Sequence, residues 1–183
     1  KKLGCVGWSV IGTEIRIADD TDALVPQGEN GEIQINSEGV TPGYWNAPDL
    51  TAASRTADGW FKTGDIGHLD EEGALYVVDR KKDMFISGGE NVYPAEIEST
   101  LALLPEISEA AVIGVLDEQW GEVGHAIIVL KNAGALNAAT VKKRCTEYLA
   151  RYKVPKHVSF TDKLPRSAQG KIQKAELRDT YAG

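Results

Sequence analysis

The 183-residue chain is 42% hydrophobic and carries a formal net charge of −7, which allows one large domain or two small ones and argues against general nucleic-acid binding. It has no apolar run of about 18 residues that could form a transmembrane segment, and no basic-then-apolar leader. Cys5 and Cys145 lie far apart with neither metal nor redox spacing, which points to two reduced thiols and a cytoplasmic setting.

Residues 1–80 read as β. Glu14-Ile15-Arg16-Ile17 and Glu32-Ile33-Gln34-Ile35 alternate polar and apolar side chains, the pattern of half-buried strands. Asp19-Asp20 and Gly28-Glu29-Asn30-Gly31 separate them as turns. Gly43-Tyr44-Trp45 and Trp60-Phe61 fall in loops, where ring packing is the simplest use of the aromatics. Leu69 and the run Leu75–Val78 flank Asp70-Glu71-Glu72-Gly73, which predicts a hairpin with a Gly-containing loop. After Arg80 the period changes. Pro94 stands where a helix begins, and Ile97, Leu101 and Leu104 follow at helical spacing until Pro105. Ala110–Leu116 and Ala126–Leu130 are apolar runs of strand length. Val141, Cys145 and Leu149 mark a second helix ending before Pro155. Val158 and Phe160 suggest a short strand, Pro165–Gly170 a polar loop and Lys174–Tyr181 a final helix. Charge is unevenly spread. Residues 1–130 hold 8 Lys/Arg against 23 Asp/Glu, and residues 131–183 hold 12 against 4. The basic tail is either a solvated lysine face or a surface suited to polyanionic small ligands.

Three segments stand out by their order: Trp60-Phe61-Lys62-Thr63-Gly64-Asp65, then Asp79-Arg80-Lys81-Lys82-Asp83 running into Ser87-Gly88-Gly89-Glu90-Asn91, and finally Gln169-Gly170-Lys171-Ile172. Singly, each has a plain reading. Asp65 after Gly64 is a turn-capping residue, Arg80 pairs with Asp79 at the surface, Lys82 and Lys171 are solvated, and Ser87–Glu90 is a tight turn. Taken in sequence, they resemble the adenylate-forming superfamily of acyl-CoA synthetases, peptide-synthetase adenylation domains and luciferases, over essentially the whole chain. The Gly-Gly-Glu-Asn form is similar to acyl- and aryl-CoA ligases more than to peptide-synthetase domains. The pattern as a whole looks closest to bacterial medium- and long-chain fatty-acid ligases.

The resemblance implies a role for each residue. Asp65 would take the two ribose hydroxyls of the adenylate, since a carboxylate accepts from two vicinal O–H groups. Arg80 would sit beside the ribose and α-phosphate, its planar fork holding the geometry. Lys82 would be the hinge about which a C-terminal domain rotates between an adenylating and a thioester-forming pose. Ser87, Gly88, Gly89 and Glu90 would wall the path of the CoA pantetheine arm, glycine permitting close approach. Trp120-Gly121-Glu122 reads mainly as structural, with Trp120 lining the same path. Lys171 would bridge the carboxylate oxygen and the α-phosphate during adenylation, and is the expected catalytic residue. His68, His125 and His157 have no metal spacing and no assigned role.

These readings predict an α+β chain: a β-rich, barrel-like subdomain over 1–81, the last part of a large AMP-binding domain, followed by a small, mobile α+β lid domain over 82–183. The superfamily's Ser/Thr/Gly-rich phosphate loop and Thr-Glu segment are expected upstream of Lys1, and with them the acyl pocket and most ligands of Mg2+. No other phosphate loop is present. The implied function is AMP-forming activation of a carboxylic acid by ATP, then transfer to CoA, with the missing N-terminal domain as partner. A fatty acid is the expected substrate. An aromatic-acid ligase, a luciferase-like enzyme and, for the isolated piece, a non-catalytic lid or CoA-binding module are the alternatives.

Overall fold

The computed structural model describes residues 2–181, which form two compact units dividing between Lys82 and Asp83. The first unit is a four-stranded antiparallel meander of β1 (Thr13–Ala18), β2 (Gly31–Ser37), β3 (Phe61–Leu69) and β4 (Leu75–Arg80), in that order. Its alternating isoleucines follow their pattern only in part, since the polar positions Glu32 and Gln34 of β2 are buried too while Ile15 and Ile35 are half-buried. Ile17, Ile33 and Ile66 are buried, while Glu14 and Asn36 face solvent. Gly67 is required by close approach, because a Cβ there would lie 2.2 Å from the carbonyl oxygen of Tyr76.

Three expectations for this unit change. Residues 1–80 are not all β, because Pro48–Ala53 form a short helix, α1. It has no buried residue, so no apolar stripe announces it. Phe61 opens β3 instead of lying in a loop, and Thr63-Gly64-Asp65 run inside that strand. Trp45 is 90% exposed and packs on little; Trp60 instead carries the Arg16 guanidinium over its ring at 4.5 Å.

The second unit follows a 3-10 turn at Lys81–Asp83. Its elements are β5 (Phe85–Ser87), β6 (Glu90–Val92), α2 (Pro94–Ala102), β7 (Ile107–Asp117), β8 (Gly121–Leu130), α3 (Ala138–Cys145), β9 (His157–Phe160) and α4 (Lys174–Tyr181). The sheet order is β6-β5-β8-β7, with β9 parallel to β8. Both faces of β7 and β8 are covered, which is why their sequences are near-continuous apolar runs. Val112, Ala126 and Ile128 pack with α2 and α3 through Ile97, Leu101, Val141 and Cys145. Ala111, Ile113, Val123 and Ile127 point the other way and pack with Leu164, in the loop after β9, and with Leu177 of α4. Helix α2 starts at Pro94, whose missing N–H costs nothing there. Helix α3 starts where Asn137 accepts from the Thr140 amide at 2.9 Å. Among the described residues no helix is long and apolar enough to cross a membrane.

Candidate functional site

Asp65 and Arg80 are direct partners across β3 and β4. Arg80 Nε donates to Asp65 Oδ1 at 2.7 Å. The surface pairing of Arg80 with Asp79 is therefore replaced. Asp79 Oδ1 accepts the Arg80 backbone N–H at 2.7 Å, while the guanidinium turns to Asp65. Nor is Asp65 a turn cap. Gly64 takes φ +70° inside the strand, a conformation suited to glycine. Thr63 Oγ1 then donates to Ile33 O at 2.7 Å and accepts from the Asp65 amide at 3.1 Å. This local kink aims Asp65 toward Arg80. Beneath it lies buried Glu32, which accepts from Gly64 N at 3.2 Å and from Lys81 Nζ at 2.8 Å. Burial pulls the Lys81 ammonium down, but Glu32 and Asp20 outweigh it and hold its pKa above the usual lysine value.

In the second unit, Ser87, Gly88, Gly89 and Glu90 form one hairpin turn. Ser87 pairs with Glu90, and Gly88 and Gly89 take φ +61° and +87° between them, as a two-residue hairpin of mirror-image turn type requires. The two glycines are not equivalent. A Cβ on Gly88 would lie 2.9 Å from the Trp120 ring, whereas one on Gly89 would meet open space. The Gly88 amide also donates to Trp120 O at 2.9 Å, and Glu122 Oε2 accepts from the Ile86 amide at 3.2 Å. Trp120-Gly121-Glu122 thus fastens the hairpin to the start of β8.

Beside this junction opens a cavity of about 680 Å³, lined among others by Ser87, Trp120, Lys142, Arg151, Tyr152 and Lys156. Lys156 also pairs with Asp117 at 2.5 Å, and that contact holds the Asp117 carboxyl below its usual range. Asp117 Oδ1 in turn accepts the amides of Gln119 and Trp120. Three cations and two aromatic rings around one cavity suit a polyanion that also carries a stackable ring. Sequence reading located the basic tail but not these four residues, Lys142, Arg151, Tyr152 and Lys156. The 3-10 turn at Arg151–Lys153 brings them together. The available signal was an aromatic set among closely spaced cations.

Lys171 ends a tight three-residue hairpin loop. The Gly170 amide donates to Ser167 O at 2.8 Å, Gly170 takes φ +81°, and the Ser167 amide donates to Lys171 O at 2.8 Å. Arg166 braces the loop by donating to Gly170 O at 2.6 Å and to Glu109 Oε1 at 2.7 Å. Lys171 is exposed, and among the described residues no carboxylate pairs with it. It is not brought near Gly88. Glu109 lies toward the start of β7 and Asp117 at its end, about eight strand positions apart, or roughly 26 Å by strand rise. Lys82 lies in the 3-10 turn at the boundary of the two units. The histidines stay apart from all of this: His68 stacks on Tyr76, and His125 bonds Ser159 and lies beside His157. Among the described residues no group of three His, Cys, Asp or Glu could hold a metal.

The model of the AMP-binding enzyme C-terminal domain matches residues 96–171, and that of the AMP-binding enzyme matches residues 1–45. The chain belongs to the AMP-binding enzymes and carries their C-terminal domain. It is 46% identical over 177 residues to a 2-succinylbenzoate–CoA ligase of Geobacillus kaustophilus, covering 97% of this chain and 36% of the relative. It is 45% identical over 182 residues to a long-chain-fatty-acid–CoA ligase of Mycobacterium tuberculosis, covering 100% of this chain and 36% of that one. The o-succinylbenzoate CoA synthetase of Bacillus subtilis, solved with its acyl-adenylate intermediate, superposes with a TM-score of 0.90 at 42% identity, over 100% of this chain and 37% of its own. The chain thus spans about 36% of the length of the curated relatives it matches.

Proposed function

We propose that this chain supplies the ribose-binding edge, the hinge and the swinging domain of an AMP-forming acid–CoA ligase. In the first half-reaction a carboxylate oxygen attacks the α-phosphorus of ATP. The bond to pyrophosphate breaks, and acyl-AMP forms. In the second, the CoA sulfur attacks the acyl carbon, AMP leaves, and the thiol proton passes to solvent. Asp65 accepts the ribose hydroxyls and Arg80 fixes it from the side while facing the α-phosphate. Lys171 holds the negative charge that builds as the carboxylate and phosphate meet. Lys82 is the hinge. Ser87, Gly88, Gly89 and Glu90 give the pantetheine arm a wall of backbone, and Trp120 stands at its edge. The phosphate-bearing nucleotide end of CoA fits the basic cavity at Lys142, Arg151 and Lys156. Mg2+ would be held by groups of the upstream domain, which also supplies the acid pocket. The relatives are named for fatty, succinylbenzoic, ferulic and indoleacetic acids at nearly equal identity, 45 to 46%. The reading therefore concerns carboxylic acids as a class, with a fatty acid as one member.

The observation that carries this proposal is the separation of the two working groups in the second unit. Lys171 and the Gly88-Gly89 turn flank opposite ends of β7, so one stiff domain presents either group, but not both, to a single reaction centre. That arrangement suits a two-step reaction. In the full-length enzyme, Lys171→Ala should slow acyl-AMP formation by about 100-fold or more. Thioester formation from supplied acyl-AMP should stay near the wild-type rate. Rapid-quench measurement of each half-reaction checks this, and equal damage to both steps would defeat the assignment.

A further inference from the structure

We propose that Glu32 is a positioning residue for the nucleotide end of the site, clamping both arms of the Asp65–Arg80 pair with one carboxylate. The inference rests on the reading of that pair as ribose-binding. Glu32 is buried, with a side-chain exposure of 6%, yet it is an acid, and a buried carboxylate persists only when well partnered. It has two partners of different kinds. Oε1 accepts the Gly64 amide at 3.2 Å, and Oε2 accepts Lys81 Nζ at 2.8 Å.

The placement of these partners gives the clamp its meaning. Gly64 immediately precedes Asp65, and Lys81 immediately follows Arg80. Glu32 itself sits on β2 opposite Ile66, where the β2–β3 register shifts. The strand that displays Asp65 departs from regular pleating at Gly64, and regular ladder bonds do not hold it there. Glu32 replaces them on that side. On the other side, Lys81 is the last residue but one of the first unit, and its ammonium ties the end of β4 back to β2. Without the carboxylate, the Gly64 amide and the Lys81 ammonium both lose their buried acceptor. The aim of Asp65 and Arg80, 2.7 Å apart, then depends on strand pairing alone. The second partner of Lys81, Asp20 at 2.9 Å, is 84% exposed and cannot substitute, since exposed pairs contribute little.

The test uses the full-length enzyme and AMP as the probe, with affinity by calorimetry and Tm measured on the same samples. Glu32→Gln and Lys81→Met should each weaken AMP binding by about tenfold, the scale of one lost charged contact. The double variant should be little worse than either single one, because the two changes break one clamp. Lys81→Arg should restore affinity to within about threefold, since it keeps the cation. Asp20→Asn should bind AMP like the wild type. AMP affinity unchanged in Glu32→Gln, with or without a lower Tm, would overturn the proposal and leave Glu32 a prop of the fold. If Glu32→Gln does not fold, Lys81→Met decides by the same criterion. Asp65→Ala separates this inference from the one beneath it. If Asp65→Ala binds AMP normally, the ribose reading fails. If only Asp65→Ala weakens binding, the clamp alone is wrong.

Discussion

Gly88 and Gly89 are neighbours of the same type in the same turn, but they should answer substitution differently. Both hold positive φ, so alanine at either carries a left-handed penalty of about 1–2 kcal/mol. At Gly88 the new methyl must also displace the Trp120 ring, 2.9 Å away, so Gly88→Ala should lower the urea midpoint clearly more than Gly89→Ala. Conversely, the open space beside Gly89 makes it the position where bulk can obstruct a ligand without disturbing the fold. Gly89→Leu should slow thioester formation and spare acyl-AMP formation in the same full-length enzyme. Some of this was legible in the residues. The Gly-Gly pair, Lys171 after Gly170 and the order of the motifs all stand in the sequence. The partner of Arg80 did not, because strand register places Asp65 opposite it, and register depends on the kink at Gly64. Glu32 was hidden as well. In the sequence it is the polar half of an alternating strand, which predicts exposure, whereas in the fold both polar positions, Glu32 and Gln34, are buried.

At the scale of elements, long periodic segments were readable and short ones were not. The strands near residues 14–17, 32–35, 110–116 and 126–130, and the helices after Pro94 and around Val141, follow from periodicity. The strands β5 and β6, of three residues each, are too short to show a period, and α1 has no buried face. Charge density flagged the basic tail, but the cavity needs the chain to turn at Arg151. One pair of elements carries a pH dependence. His125 on β8 lies against His157 on β9, bonds Ser159 Oγ at 2.9 Å and meets the edge of Tyr181 on α4. Burial, aided by His157, lowers the His125 pKa below 6.5, so the fold favours the neutral ring. Its contribution is present in full above the unfolded value of about 6.5 and is lost as pH falls through that value toward the lower folded one. The urea midpoint should therefore drop between pH 7.5 and pH 5, by an amount that His125→Asn reduces. An identical drop in the variant would clear His125.

For the whole molecule, the charge asymmetry changes meaning once the two units are known. Residues 1–82 hold 8 basic and 14 acidic side chains, and residues 83–183 hold 12 and 13. The second unit is nearly balanced, yet its cations lie in the last third of the chain, and three of them, Lys142, Arg151 and Lys156, line the cavity. An electrostatic pull on a polyanion then comes from local placement, without a basic domain. Raising salt from about 0.05 to 0.5 M shortens the screening length severalfold. The KM for CoA should rise across that range by more than the KM for the carboxylic acid, as steady-state kinetics of the full-length enzyme would read. If the two rise together, the cavity is not where CoA docks.

The length of β7 has a consequence for timing. Under the proposed reading, this eleven-residue strand with a tool at either end is a two-position lever. While one end was engaged the other would be idle, and every turnover would include two throws. Swinging a unit of about a hundred residues would then be a step of its own, one that better bond-making chemistry would leave unchanged.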